Sequence, residues 1–119
     1  MYEAIYIVLG CLFVKHWYID FVDQDAEEVA AKGTYLKWAG IRHSLKHGVG
    51  TLLMLMVCSI GFYVSLFLAL VDFILHYHID WTKMNFGNRD ITTPQFWNHL
   101  GLDQLAHYIV YLFIVWCLF

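Results

Sequence analysis

A bundle of four transmembrane helices, built as two helical hairpins with a short interfacial helix, is the all-α membrane fold that this sequence predicts. Three observations predict it. Of the 119 residues 61% are hydrophobic and only 14% charged, with a single proline, a composition outside the soluble globular range. Apolar runs recur along the whole chain, separated by short polar stretches. The seven lysines and arginines all fall at or between helix ends joined by two of those stretches, as loops on one side of a bilayer require.

The first apolar run predicts helix one, about residues 3–24, broken late by Lys15, His16 and Asp20. At about 1.5 Å per residue it is long enough to cross a hydrocarbon core. The next segment, Asp25-Ala-Glu-Glu28, reads as a capping box. It opens a short helix that Gly33 ends, lying along the membrane surface with Tyr35 and Trp38 as interfacial anchors. From Ile41 to Asp80 the chain is apolar almost throughout; as one helix it would be about 60 Å long, twice what a bilayer needs. It must fold back. The pivot is Cys58-Ser59-Ile60-Gly61, which divides the run evenly and contains a glycine that tolerates turn conformations. Helices two and three, about 41–58 and 62–81, follow as a tight hairpin. Residues 81–95 are polar, and Thr93-Pro94 supply an N-cap and first-turn proline for helix four, about 94–119. Residues 1–119 make one transmembrane domain.

Several function classes are excluded. A net charge of -3 without a basic run leaves no electrostatic footprint for nucleic acid. Cys11, Cys58 and Cys117 lie in apolar runs without C-x-x-C spacing, and read as small core residues. The N-terminus lacks a basic region and cleavage site, so the first helix is expected to be retained. Lys15, Lys32, Lys37, Arg42, Lys46, Lys83 and Arg89 place both polar loops in the cytoplasm, and both termini and the 58–61 turn on the outer face.

Ionisable groups are costly inside a bilayer and signal function. Here they come in helical register: His16 and Asp20; His43 and His47; Asp72, His76 and Asp80; His99, Asp103 and His107. Residues four apart share a helix face. Six such pairs occur among fourteen His and Asp residues, against about 1.6 expected from random scatter. Depth matches as well. His47 lies fourteen residues before Gly61 and His76 fifteen after it, while His16 is fifteen residues from the N-terminus and His107 twelve from the C-terminus. Up-down-up-down packing then gathers the pairs into one cluster near the cytoplasmic interface. A short repeat, His16-Trp-Tyr-Ile-Asp20-Phe and His76-Tyr-His-Ile-Asp80-Trp, fits two hairpins packed as parallel repeats.

The candidate metal ligands are His16, Asp20, His43, His47, His76, Asp80, Asp103 and His107. Imidazole and carboxylate without thiolate suit zinc first, with manganese, iron or nickel as alternatives. Eight candidates exceed the needs of one tetrahedral ion and point to two, with Asp80 or Asp103 bridging. Asp72, one turn deeper, is expected to accept the other N–H of His76. His78 and His99 read as interfacial residues. Lys46 and Lys83 flank the cluster, placed for an anionic headgroup or phosphate as well as for solvent. Gly48 and Gly50 permit close helix approach.

Four motifs in order, His16-x-x-x-Asp20-Phe-x-x-Gln24, His43-x-x-x-His47, His76-x-x-x-Asp80-Trp-x-Lys83 and Leu102-Asp103-Gln104-x-x-His107, resemble the bacterial and phage membrane family catalogued as domain of unknown function 3307. The resemblance spans nearly the whole chain and implies a multi-pass protein of the bacterial, or phage-host, inner membrane. A more distant likeness is to bacterial inner-membrane proteins described as membrane-bound metal-dependent hydrolases. Asp72 and His78 are not typical of the family pattern.

The leading expectation is a membrane-embedded metal-dependent hydrolase acting on an amphiphilic or phosphoester substrate at the cytoplasmic interface, with Asp20 or Asp103 as catalytic carboxylate. Its expected partners are membrane lipid and a small-molecule or lipid substrate; a homo-oligomer is compatible with the sequence. One rival is a divalent-metal or proton conduit, against which the apolar outer halves of the helices argue. The other is a metal-stabilised interaction protein, such as a phage accessory factor.

Overall fold

The structure, a computed structural model, describes all 119 residues. The chain is all helical: α1 (Tyr2–Trp17), continuing without a break as a π-helical segment (Tyr18–Asp23), then α2 (Ala26–Ala31), α3 (Trp38–Val57), α4 (Phe62–Phe86) and α5 (Pro94–Leu118). Contacts run from α1 to α3, α3 to α4, α4 to α5 and α5 back to α1, so four long helices close a ring and α2 lies on α3. The longest dimension is 43 Å, close to the roughly 40–45 Å of a bilayer with its headgroups.

Three stretches, Tyr2–Asp23, Phe62–Phe86 and Pro94–Leu118, are long and apolar enough to cross a membrane. The sequence pointed to four equivalent spans, and α3 departs from that. Its first half carries Arg42, His43, Lys46 and His47, which lower its hydropathy. Its buried stripe is His43, Ser44, His47, Gly48, Thr51 and Leu55, while Leu45, Val49, Leu53 and Met56 point outward.

Polarity is inverted relative to a water-soluble bundle. Half of the 30 buried residues are polar or charged, and large apolar side chains such as Tyr6, Phe67, Leu70, Ile109 and Trp116 are exposed. That is the arrangement expected when lipid replaces water as the surrounding solvent. The bundle has two layers. Near the 58–61 turn, Val8, Leu12, Leu55, Leu68, Tyr111 and Ile114 pack as an apolar plug. The other half holds the buried histidines and carboxylates.

Local signals act largely as their chemistry dictates. Asp25 accepts the Glu28 N–H at 2.8 Å and Glu28 accepts the Asp25 N–H at 3.4 Å, closing the capping box of α2. Thr93 accepts the Phe96 N–H at 3.3 Å with Pro94 in the first turn of α5. The turn between α3 and α4 falls at residues 58–61, but its left-handed residue is Ser59 (φ 64°); Gly61 is extended at φ -57°. Likewise Gly33 is not left-handed; Leu36 is, at φ 63°, with its N–H donated to the Tyr77 hydroxyl at 2.7 Å. Helix α4 runs five residues past the predicted end at 81, through Lys83 and Met84. Polarity alone does not stop a helix, whereas Gly87 does: a Cβ there would stand 2.5 Å from the Lys83 carbonyl oxygen.

Candidate metal centre

The π-helical segment Tyr18–Asp23 carries Asp20. Such segments interrupt the α-helical register and recur at functional sites. Here Asp20 Oδ1 faces His43 Nε2 at 3.0 Å, His47 Nε2 at 2.8 Å and His76 Nε2 at 3.8 Å. Oδ2 lies 3.2 Å from His16 Nε2. His43 and His47 are successive turns of one face of α3, and His76 and Asp80 of one face of α4. Asp80 reaches both sides, with Oδ2 at 3.3 Å from His76 Nε2 and 3.6 Å from His43 Nε2, and Oδ1 at 3.2 Å from His107 Nε2. The rings of His47, His76 and His107 stack, with centroids 3.6 and 4.0 Å apart.

Two ligand sets result: Asp20, His43, His47 and His76, and His76, Asp80 and His107, each with candidate atoms within 4.8 Å of one another. Two features of these residues fit a cation. All four partners of Asp20 within ion-pair distance are imidazoles, so no lysine or arginine pairs directly with this buried carboxylate. His76 is fully buried, yet neither of its ring nitrogens is hydrogen-bonded; such groups are costly unless satisfied. A metal ion between Asp20 and three imidazole nitrogens would answer the carboxylate and give one His76 nitrogen a partner, and the buried cluster can hold one.

Not every sequence-derived candidate lies in a set. His16 is level with the cluster, but its Nδ1 pairs with the Tyr111 hydroxyl at 2.8 Å and its Nε2 with Gln104 Oε1 at 2.8 Å. An amide oxygen only accepts, so Nε2 carries the proton and has no lone pair for a metal. His16 therefore orients Asp20 and Gln104. Asp103 stands at the edge: Oδ2 accepts from Gln104 Nε2 at 3.1 Å and Lys83 Nζ at 3.3 Å, while the buried Oδ1 has no hydrogen bond. Asp72 corrects the expected pairing with His76. It accepts from Lys15 Nζ at 2.9 Å and Thr51 Oγ1 at 2.5 Å. His78, bonded to Tyr35 and the Ile74 carbonyl, and His99, accepting the Asn88 N–H, lie outside the cluster.

Sequence reasoning missed three charged participants. Lys15, read only as a topology marker, is buried and donates to Tyr111 Oη (3.0 Å) and the His47 carbonyl oxygen (3.4 Å) besides Asp72, with His47 Nδ1 3.3 Å away. The available signal was a lysine and a lone aspartate both at intramembrane depth, each costly without the other. Lys32 Nζ lies 3.1 Å from Asp80 Oδ2. Burial pushes the Lys32 ammonium down, but the facing Asp80 and Asp20 carboxylates raise it above its ordinary value. Glu28, the capping-box residue, is buried beneath Lys46 Nζ (2.6 Å) and Arg42 Nε (3.1 Å), with Oε2 3.5 Å from His43 Nδ1. Burial pushes its carboxyl up, yet the hydrogen bonds from Lys46 and Arg42 hold it below the usual carboxylate value. Through Glu28 and Lys32, α2 covers one mouth of the cluster. On the flank between α4 and α5 a cleft of about 460 Å³ reaches Asp103, bordered by Ile79, Lys83, His99 and Leu102.

Among curated proteins and solved structures, none matches the chain. The model of the family described as "Protein of unknown function (DUF3307)" matches residues 8–119, which include every residue of the cluster, and the chain belongs to that family.

Proposed function

We propose that the protein is a membrane-embedded metal-dependent hydrolase, a bundle of four spans whose cluster lies beneath the cytoplasmic headgroups and acts on an ester or phosphoester bond of an amphiphile. The observation that carries the reading is Asp20: a buried carboxylate ringed by imidazoles and paired directly with no lysine or arginine. The outward apolar face of α3 supports its role as the fourth span, because its polar stripe is turned into the bundle. The basic residues of the α1–α3 and α4–α5 connections support a cytoplasmic location for those loops.

One ion fits the charge pattern better than the two that ligand number favoured. Asp80 already faces Lys32, and Asp103 faces Lys83; Asp20 is the carboxylate left for a metal cation. We assign Asp20, His43, His47 and His76 to that ion, with zinc the leading choice and manganese or iron compatible with the same donors. When bound, the ion supplies Lewis acidity toward an ester oxygen and lowers the pKa of water. Asp103 is the general base on this reading, because its buried Oδ1 is free of hydrogen bonds and the residue borders the cleft. Lys83 and Gln104 hold its other oxygen, and His107 stands 3.6 Å from Oδ1 to take up or return the proton. Asp20, a candidate for both roles in the sequence, keeps only the ligand role on this reading.

A conduit would need polar groups through the whole bundle, and the apolar plug of Val8, Leu12, Leu55, Leu68 and Ile114 works against it. Elemental analysis of detergent-purified protein, beside a His76→Ala variant, tests the metal. One equivalent of a transition metal, lost in the variant, is expected; an ion-free parent would end the reading. Hydrolysis of a phosphoester and carboxylester panel, lost in Asp103→Asn with the metal retained, separates an enzyme from a metal-stabilised scaffold.

A further inference from the structure

The cleft between α4 and α5 is mainly apolar at one end and carries a lysine and a histidine at the other. On α4 the lining passes from Leu75, His78 and Ile79 to Thr82, Lys83 and Phe86, and on α5 from Ala106, Asp103 and Leu102 to His99. The helices are antiparallel, so the two apolar ends coincide and the two polar ends coincide. A second cavity of about 290 Å³ adjoins the polar end, sharing Lys83 and His99 and adding Arg89. His99 Nδ1 accepts the Asn88 N–H at 2.8 Å, which places the ring proton on Nε2 and makes that atom a donor. Lys83 uses one of its three donors on Asp103.

The cleft opens on the flank of the bundle. Leu75 and Leu102 on its walls are 39% and 57% exposed, with Phe86 and Trp97 outward nearby. These side chains face lipid in a bilayer, and aromatic rings at this level are those of an interfacial belt. A molecule reaching Asp103 by this route comes from within the membrane leaflet.

We propose that the α4–α5 cleft binds a membrane amphiphile with a phosphate-ester headgroup, its phosphate against Lys83 and His99 and one chain along Ile79, Leu102 and Ala106. The charge complementarity is local: a cationic side chain and an N–H donor at the end of the cleft level with the headgroups, and below them a largely apolar lining interrupted by His78 and Asp103. A volume of about 460 Å³ accommodates a headgroup and the upper part of one chain, the remainder staying in the bilayer. Asp103 is shared by the cleft and the cluster, so the phosphate ester would lie beside the proposed general base. The proposal rests on the hydrolase reading for its chemistry and names that enzyme's substrate class; the binding itself requires no turnover.

The test is lipid retention by the detergent-purified full chain, measured by native mass spectrometry with three probes. These are dioleoyl phosphatidic acid, dioleoylglycerol (the same chains without phosphate) and millimolar inorganic phosphate as competitor. We expect the phosphatidic acid to be retained on the order of tenfold more strongly than the diacylglycerol, and inorganic phosphate not to displace it. Ala106→Trp, which fills the apolar end, and Lys83→Gln, which removes the cation, should each lower retention about tenfold, whereas Leu112→Trp on the outer surface of α5 should not. Equal retention of the two lipids, displacement by free phosphate, or indifference to Ala106→Trp overturns the proposal. The Asp80→Ala/His107→Ala variant should still retain the lipid. Binding without hydrolysis in the parent upholds the cleft and sinks the hydrolase reading alone.

Discussion

Lys15 Nζ lies 2.9 Å from Asp72 Oδ2, with both side chains buried and 57 positions apart in the chain. The pair ties α1 to α4 at the boundary between the polar cluster and the apolar plug, and Thr51 and Tyr111 bring α3 and α5 into the same network. A buried ion pair is costly to break, because the remaining charge stays buried without a partner. Lys15→Met should therefore destabilise the bundle by about 3–5 kcal/mol. Lys15→Met/Asp72→Leu should recover much of that loss. Denaturant titration in detergent, run as a double-mutant cycle, measures the coupling; additive single effects would contradict the pairing.

Metal removal should be legible in stability as well as activity. An ion held at a thousandfold over its dissociation constant stabilises the folded state by about 4 kcal/mol. Chelation should thus lower the thermal midpoint of the parent and lower that of Asp20→Asn by much less, since a hundredfold loss of affinity leaves only about 1.4 kcal/mol of that stabilisation. The variant itself should bind metal more weakly by about a hundredfold, the upper end of what loss of an outer-sphere partner gives. A parent whose melting ignores chelators contradicts the assignment.

Glu28 joins α2 to α3 through Arg42 and Lys46 and stands 3.5 Å from His43 Nδ1. Glu28→Gln keeps the size but removes the charge. It should cost roughly 1–2 kcal/mol, since both basic partners are partly solvated. It should also expose the segment at residues 25–37, read as faster proteolysis or hydrogen exchange there with α4 and α5 unchanged.

Close packing at Gly48 predicts a contrast between glycines. A Cβ at Gly48 would stand 3.0 Å from Phe73 Cβ and 3.2 Å from the Ala69 carbonyl oxygen, whereas one at Gly10 or Gly101 would meet nothing within 4 Å. Gly48→Ala should push α3 and α4 apart and cost about 1–3 kcal/mol, the usual range for overpacking. Gly10→Ala and Gly101→Ala should be neutral to stabilising, by up to about 1 kcal/mol. Equal tolerance at all three positions, in the same unfolding assay, would mean that α3 and α4 do not approach as described.

Topology is checked by single cysteines in a chain with Cys11, Cys58 and Cys117 replaced by alanine. With cytoplasmic loops, Thr34→Cys reacts with an impermeant maleimide only after the membrane is opened, and Ser59→Cys, on the other side of α3, reacts in intact cells. Labelling of both from one side would remove α3 as a span.

Register was legible because helix geometry is local. Spacing of four residues put Asp20 near His16, His47 near His43 and Asp80 near His76 before any fold was known, and equal distances from the chain ends and the 58–61 turn put those pairs at one level. Caps were legible for the same reason: Asp25 with Glu28, and Thr93 with Pro94, satisfy backbone groups within a single turn. What a charge does at that level depended on its neighbours across the bundle. Lys15 and Asp72 look alike as isolated intramembrane charges whether they meet or not. Whether His16 is a ligand turned on Gln104 and Tyr111, contributed by a helix some ninety residues away. The π-helical turn that aims Asp20 has no marker in residue type. Distances along one helix are set by covalent geometry and can be counted from a sequence. Pairing between helices is set by how four surfaces pack at once, and only the folded bundle distinguishes a metal ligand from the residue that holds it in place.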